Sequence, residues 1–413
     1  MSIAAATGQE SSDLARDIQV VGTISLAHFF SHFYQFSLPF LFPLIRAEYG
    51  VDFAELGLLV TIFYGCSGLA QTAAGFLVDR LGPPRILAGG LGLLAASMAA
   101  VALVPAFWMM FPAAALAGIG NSVFHPADYS IMSHRIGAGR VGKAFAVHAV
   151  SGTLGYAAAP VAMVSLAEAT SWHWALLTGA LAGGAACLVV VARQKLLRGD
   201  APARARAVSG SAATHVSAFA ALRQPAVLLC FSFFLLMAVP SVGMSGFLAT
   251  VLQRLFATPI ATTAAALTAY LAGSALGVLL GGVLADRMRR HERIVMASVA
   301  CSAALFLAVG LVGFPPLALG AVLAVAGCSA GIATPSRDML VRAAAAASAT
   351  GKVFGFAYSG FDLGSALAPP CLGFLLDRGL TQWVMPVIAT SLLLVIISAL
   401  NLAGQPRPAT ASP

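Results

Sequence analysis

The sequence contains very little charge. Only 9% of its 413 residues are Asp, Glu, Lys or Arg, whereas soluble proteins carry about 25%. Hydrophobic residues make up 59% of the chain, which is more than a soluble core of this size could bury. The composition therefore excludes an ordinary soluble protein and indicates a chain embedded in a lipid bilayer.

Several functional signatures are also missing. The sequence has no Gly-x-x-x-x-Gly-Lys-Ser/Thr motif, so we expect no bound nucleotide. Its six cysteines lie in apolar segments without disulfide or metal-binding spacing, so we expect small apolar residues and no metal or other cofactor. The first 18 residues lack the pattern of a cleaved signal peptide, so the first helix is expected to direct insertion.

Apolar runs long enough to cross a bilayer, about 20 residues each, recur along the whole chain. They lack the alternation of a porin strand, which favours helices over a barrel. The sequence thus predicts an all-α membrane protein with twelve spans: 19–45, 54–78, 86–104, 108–132, 144–167, 173–191, 225–252, 262–285, 294–314, 317–340, 353–376 and 383–403. The predicted organisation is a tail (1–18), a six-helix bundle (19–191), a basic linker (192–224), a second six-helix bundle (225–403) and a tail (404–413).

The basic residues predict the orientation of these spans. Nearly all of them fall in alternate loops, and only Arg46, Arg254 and Arg378 would face the other side. Because basic loops stay in the cytoplasm, both termini are expected there, in a multi-pass protein of the cell inner membrane. The net charge of +8 is then a topology signal, and nucleic-acid binding is not expected.

The chain repeats itself. The stretch from Gly142 to Pro160 returns 209 residues later as Gly351 to Pro369, with matching Gly-Lys, Phe, Leu-Gly and Pro positions. Two related bundles of even helix number enter the membrane from the same side. Such parallel repeats are typical of secondary transporters, so the two bundles are expected to be pseudo-symmetric.

A second repeated motif lies in a predicted cytoplasmic loop of each half. It reads Gly75-x-x-x-Asp79-Arg80-x-Gly82 in the first half and returns as Gly282-x-x-x-Asp286-Arg287 in the second. Glycine permits close helix approach, aspartate can cap the N-terminus of a neighbouring helix, and arginine anchors at the membrane surface. We interpret the motif as one that controls conformational change.

Two polar stripes mark the first half as the candidate site. His28, His32 and Gln35 are spaced i, i+4, i+7 on the first span, and the fourth span repeats that spacing with the residues Asn121, His125 and Asp128. Each stripe lies on one helix face. Because ionisable groups are costly in a membrane, we expect a shared cavity that carries substrate or protons. For His28 and Asn121, hydrogen bonds that only fix helix packing are an equal alternative.

The second half offers Asp362 in the middle of the eleventh span and Arg337 near the inner end of the tenth. Arg337 occupies the repeat position of Asp128, so the two could form a charge pair. Arg337 could equally extend to the membrane surface. A metal site at His28-x-x-x-His32 is a less favoured reading, because no carboxylate lies nearby in the sequence.

The Gly75 motif resembles the loop signature of the major facilitator superfamily, which implies two six-helix bundles and a central cavity. Within it, helix one (Ser25-Leu26-x-His28, Tyr34-Gln35, Leu38-Pro39) and helix four (Gly120-Asn121-Ser122-Val123-Phe124-His125-Pro126) resemble the fosmidomycin-resistance group. That group commonly has aspartate, glutamate and arginine where His32, Ala127 and Ser130 stand here, so its phosphonate substrate does not transfer to this chain.

These observations predict a transporter and not an enzyme. We expect a monomer that moves a small organic solute across the bilayer, coupled to protons, with antiport and efflux preferred. Proton-coupled uptake of an organic anion is one alternative. An intramembrane enzyme that uses the histidines and aspartates, or a sensor built on a transporter scaffold, would be alternatives of another class.

Overall fold

The structure is a computed structural model that describes residues 3–51, 53–198, 222–344 and 350–403. All regular secondary structure within those residues is helical. The predicted tail 404–413 and most of the predicted linker, residues 199–221, lie outside them. The predicted domain boundaries therefore remain predictions.

Nine helices are described in the first half. They are α1 (Ile3–Ser37), α2 (Phe42–Tyr49), α3 (Phe53–Leu81), α4 (Pro83–Leu103), α5 (Met110–Asn121), α6 (Phe124–Arg135), α7 (Val141–Ala169), α8 (Trp172–Ala192) and the short α9 (Gln194–Leu197). Because α1 already begins at Ile3, most of the predicted N-terminal tail is helical and continuous with the first span.

Seven helices are described in the second half. They are α10 (Pro225–Val242), α11 (Leu248–Phe256), α12 (Ile260–Arg287), α13 (His291–Leu311), α14 (Pro316–Ala344), α15 (Thr350–Asp377) and α16 (Val384–Ala403). Within the described residues, ten helical segments are long and apolar enough to cross a membrane. The remaining two predicted spans lie on α1 and α15, which carry polar residues along their length.

Proline interrupts three of the predicted spans. In the first predicted span, the helix ends at Ser37 and a 3₁₀ turn begins at Pro39. The fourth divides into α5 and α6, because the ring nitrogen of Pro126 cannot donate to the carbonyl of Ser122 four residues earlier. The seventh contains Pro240 and continues through a π-helical turn, Gly243–Phe247, into α11. The first two breaks place irregular backbone beside the predicted polar stripes.

The chain divides into two compact units. One comprises Met1–Ser217 with Ala347–Gly355, and the other comprises Ala218–Ala346 with Phe356–Pro413. In the first unit α3 packs on α5, α4 on α5, and α4 on α8. The corresponding pairs recur in the second unit, where α12 packs on α14, α13 on α14, and α13 on α16. The sequence repeat is therefore also a repeat of helix packing.

Glycine allows α12 and α14 to pack backbone against backbone in the second unit. Gly273, Gly277 and Gly281 lie four residues apart on α12, and a Cβ atom at Gly277 would lie 2.0 Å from the carbonyl oxygen of Cys328. From the other side, a Cβ at Gly331 would lie 2.1 Å from the carbonyl oxygen of Ser274. Small residues at this spacing let membrane helices gain close van der Waals contact.

We expect Gly277→Ala to destabilise the protein by about 1–3 kcal/mol, because the added methyl group must push α12 and α14 apart. Thermal unfolding of the purified chain in detergent measures the effect. Gly320→Ala on α14 is the matched control, since a Cβ there has no neighbour within 4 Å, and alanine favours a helix over glycine. Equal melting temperatures for the two variants would contradict this account of the packing.

Candidate functional site

The two predicted polar stripes meet in the first unit, and their neutral members form one hydrogen-bonded network. The Gln35 Nε2 amide donates to Asn121 Oδ1 at 3.1 Å, and the Ser31 hydroxyl donates to the same oxygen at 2.9 Å. Asn121 Nδ2 donates to Ser67 Oγ at 3.0 Å. The hydroxyl groups of Tyr64 and Tyr156 donate to Gln35 Oε1 at 3.2 and 2.7 Å. This network ties α1, α3, α5 and α7 together.

The ionisable members form a separate, buried cluster, which we call the His–Asp cluster and define as His28, Asp128 and His148. Oδ2 of Asp128 lies 3.6 Å from His28 Nδ1 and 3.5 Å from His148 Nε2. The Asp128 and His148 residues are fully inaccessible, and His28 is 3% exposed. Among the described residues, no hydrogen bond reaches either carboxylate oxygen of Asp128. The cluster is thus an acid and two bases in close contact within a low-dielectric interior.

Two more histidines adjoin the His–Asp cluster. The ring centroid of His32 lies 4.3 Å from that of His28, and the His125 centroid lies 5.6 Å from it. Gly152 on α7 makes room for these rings, because a Cβ there would lie 2.8 Å from His28 Nε2 and 2.9 Å from His32 Cε1. The structure therefore brings all four predicted ionisable residues of the first half together.

His148 is a residue that the sequence analysis missed. It lies on α7, within the predicted span 144–167, where any ionisable group is a functional candidate. The repeat carries the missed signal, since His148 falls on Ala357 at the offset of 209. A histidine found in only one copy of a duplicated helix is not required by the packing that both copies share.

The His–Asp cluster also has the composition of a metal site. Its three ligand atoms lie within 4.8 Å of one another, and Asp128 supplies the carboxylate that cannot be found near His28-x-x-x-His32 in the sequence. The rings of His28 and His148, however, stack at 3.9 Å with an interplanar angle of 26°. An imidazole lone pair lies in the plane of its ring. Because the planes of these two stacked rings are nearly parallel, their lone pairs do not converge on one ion at the 2.0–2.1 Å of a metal–nitrogen bond. This geometry disfavours a metal ion.

The first copy of the glycine–aspartate motif makes the capping contact that the sequence suggests. Asp79 accepts hydrogen bonds from the backbone N–H groups of Gly351 and Lys352 at 3.0 and 3.2 Å, at the start of α15. Gly75 permits this approach, since a Cβ there would lie 2.5 Å from the Gly351 carbonyl oxygen. Carboxylates are stabilised at helix N-termini. The second copy lies at the end of α12, where Asp286 and Arg287 are its last residues.

In the second unit, Arg337 is bonded to its sequence neighbour. Its Nε donates to Asp338 Oδ1 at 2.9 Å, and its Nη2 donates to the hydroxyl of Tyr358 at 3.2 Å. Tyr358 in turn donates to Asp338 Oδ1 at 2.9 Å. Arg337 and Asp128 thus each have partners within their own unit, and the arginine does not extend along the surface.

A cavity of about 180 Å³ adjoins this arginine in the second unit. Arg337 is the one charged residue among the described residues that line it. Hydroxyl groups and apolar side chains form the rest of the wall, from Met237, Pro240, Ser241, Tyr270, Ser274, Val299, Ser302, Phe306, Ala330, Thr334, Phe361 and Leu392. The predicted residue Asp362 lies half-buried on α15 beside Phe361 and is not part of that lining.

A family model of the Major Facilitator Superfamily matches residues 24–255 and 241–413, which together span nearly the whole chain. The chain belongs to the major facilitator superfamily. Its family and its relatives are transporters rather than enzymes, and the helices described above are those of a multi-pass membrane protein of this fold.

Among curated relatives, the fosmidomycin resistance protein of Escherichia coli (strain K12) is 30% identical over 142 residues. The match covers 34% of this chain and 35% of that protein, so it spans about a third of the relative's length. The uncharacterized MFS-type transporter YfnC of Bacillus subtilis (strain 168) is 24% identical over 308 residues, covering 74% and 73% of the two chains. The resemblance to the fosmidomycin-resistance group, made on helices one and four, is confirmed.

Two solved structures share the fold. The human organic anion transporter MFSD10 superposes with a TM-score of 0.73 at 16% identity, covering 93% of this chain and 99% of that one. A variant of the E. coli fucose:proton symporter FucP gives 0.71 at 16% identity, covering 94% and 100%. At this identity the likeness establishes the architecture of a major facilitator transporter and nothing about the solute.

We expect Asn121→Ala to destabilise the protein by about 1–2 kcal/mol, because it leaves Ser31, Gln35 and Ser67 without their shared partner. Thermal unfolding in detergent measures the change. Ser122→Ala is the matched control, since the Ser122 hydroxyl, as far as the described residues show, bonds within its own helix turn, to the Ile119 carbonyl. A destabilisation no larger than that of the control would show that the network does not hold these helices.

Proposed function

We propose that this protein is a secondary active transporter that exports a small organic solute across the cell inner membrane in exchange for protons. The His–Asp cluster is its proton site, with His32 and His125 as adjoining groups through which protons reach it. The observation that carries this proposal is the complete burial of Asp128, with imidazole nitrogens at 3.5 and 3.6 Å and no hydrogen bond from the described residues to either oxygen.

The energetics of burial support protons as the coupling ion. A carboxylate transferred from water into an apolar interior without partners is far too costly to persist, and such a group neutralises by binding a proton. One proton held among Asp128, His28 and His148 removes the net charge of the acid. A change of conformation that opened the cluster to water would lower the cost of the ionised form and release that proton. Proton release and conformation are then linked, as coupled transport requires.

Three more features are assigned roles in this proposal. The Gln35–Asn121 network shares α1 and α7 with the proton site and supplies neutral hydrogen-bonding groups to a polar solute. Asp79 holds the start of α15 in one arrangement, so the Gly75–Gly82 motif and its copy at Gly282–Arg287 control the conformational change. Asp362 and Arg337 belong to the solute pathway of the second unit. The name of the fosmidomycin resistance protein favours export over uptake.

Gradient-driven flux in proteoliposomes tests the coupling. Vesicles holding the purified chain receive a mixture of organic anions, amines and phosphonates and an imposed difference of about one pH unit, and mass spectrometry identifies the accumulated solute. One pH unit is worth about 1.4 kcal/mol, so with the membrane potential held at zero, exchange of one proton per solute supports about tenfold accumulation. We expect Asp128→Asn to reduce this ratio to about one while solute exchange without a gradient continues.

His173→Ala is the matched control, because His173 also lies near a carboxylate, 3.4 Å from Glu48, but is partly exposed and remote in sequence from the cluster. We expect it to leave accumulation unchanged. Flux must also persist with a chelator present, since loss on chelation would indicate a metal ion at the cluster. Full accumulation in Asp128→Asn, His148→Ala and His125→Ala alike would overturn the assignment of the proton site.

A further inference from the structure

We infer that the cavity of the second unit binds the carboxylate of a small organic monoanion with an apolar, ring-sized body, and that Arg337 is the group that recognises it. This inference names the solute class of the transporter and rests on the proposed function in that respect. The binding site itself is argued from the second unit alone.

The charge that the cavity presents to a ligand is positive. Arg337 lines the cavity, whereas its partner Asp338 is fully inaccessible and absent from the lining. Ion pairing therefore hides the acid and leaves the base at the wall. A guanidinium carries five donors, more than one carboxylate accepts, so it can hold Asp338 and still donate to a ligand. An amine would meet a like charge here.

The position of the guanidinium is fixed before any ligand arrives. Asp338 accepts from Nε, Tyr358 lies within hydrogen-bonding distance of Nη2, and the Cζ atom lies 4.8 Å from the ring centroid of Phe234. Contact with an aromatic face adds a cation–π attraction. A guanidinium that is already held in place loses less rotamer entropy on binding a carboxylate than a flexible lysine side chain would.

The remaining wall defines the body of the ligand. Phe306, Phe361, Val299 and Leu392 supply apolar surface, and the hydroxyls of Ser274 and Thr334 supply polar contacts. The volume of about 180 Å³ slightly exceeds the ~150 Å³ of an engineered apolar cavity that binds benzene. A benzene ring with one carboxylate thus matches the cavity in size, in charge and in the balance of apolar and polar surface.

Binding of radiolabelled benzoate to the purified full-length chain in detergent, without any gradient, tests the inference. Benzyl alcohol and benzylamine serve as unlabelled competitors, because they keep the ring and change only the charge. We expect saturable benzoate binding and competition at least about tenfold weaker from the alcohol and the amine, since one charge-assisted hydrogen bond is worth about 10- to 100-fold in affinity. Benzylamine that competes as well as benzoate, or no saturable benzoate binding, would overturn the inference.

Variants locate the site. The double variant Arg337→Gln with Asp338→Asn removes both charges together, which spares the fold the unpaired buried carboxylate that Arg337→Gln alone would leave. We expect it to weaken benzoate binding about 10- to 100-fold, and Ala330→Leu to weaken it likewise by filling the cavity with the charge intact. Arg254→Gln is the control, because Arg254 donates to the Leu376 carbonyl away from the cavity. Unchanged binding in a folded double variant, judged by its melting temperature, would contradict the assignment.

The two proposals fail separately. Benzoate binding to the purified chain needs no proton gradient, so it is measured independently of coupled flux. Benzoate binding without gradient-driven flux of any solute would remove the proposed coupling and leave the anion site standing. Coupled flux of a solute that is not an anion, without benzoate binding, would remove the anion site and leave the proposed coupling standing.

Discussion

The cost of placing ionisable groups in an apolar interior governs both units of this protein. The sequence contains few charged residues, and the described structure buries two aspartates completely, Asp128 and Asp338. The cost of each must be offset within its own unit, because a buried ion without a partner is not tolerated. How each aspartate is neutralised distinguishes the two units.

The neutralisation of Asp338 is fixed, whereas that of Asp128 can change. Asp338 is paired with a guanidinium, which stays protonated under all conditions that proteins meet, so its neutralisation is fixed. Asp128 lies beside two imidazoles and has no fixed cation as a partner among the described residues, so its neutralisation depends on a proton that can be bound or released. A conditional charge can respond to conformation and to the proton concentration on either side of a membrane. A fixed ion pair instead provides a constant electrostatic feature that a ligand can recognise.

The architecture was predictable because its signals are long and redundant. Runs of about 20 apolar residues, a basic-loop bias and two repeats at nearly one offset all indicate the same duplicated helical body, and the family match agrees. The local breaks were less predictable. The spacing of Asn121, His125 and Asp128 implies one continuous stripe, but the break near Ser122 directs Asn121 to a neutral network and Asp128 to the histidines.

The close contacts that complete the site could not be read from spacing at all. His148 lies on a helix without a polar stripe, and its proximity to Asp128 depends on how α6 and α7 pack. Gly152 is one glycine among 41, and only the three-dimensional packing shows that it makes space for two imidazole rings. Tertiary contacts between helices decide these features, and a pattern along one helix carries no information about them.

The duplication offers a way to separate packing from function. Positions with the same residue in both copies, such as Gly142 with Gly351 and Pro160 with Pro369, suit the helix packing that both bundles share. At the same offset Asp128 meets Arg337, His125 meets Thr334, His148 meets Ala357 and Gly152 meets Phe361. The first members of these unequal pairs belong to the His–Asp cluster or adjoin it, and three of the four second members line the Arg337 cavity. At these four positions the two copies therefore differ where the candidate sites lie, as expected if one unit specialised for protons and the other for the solute.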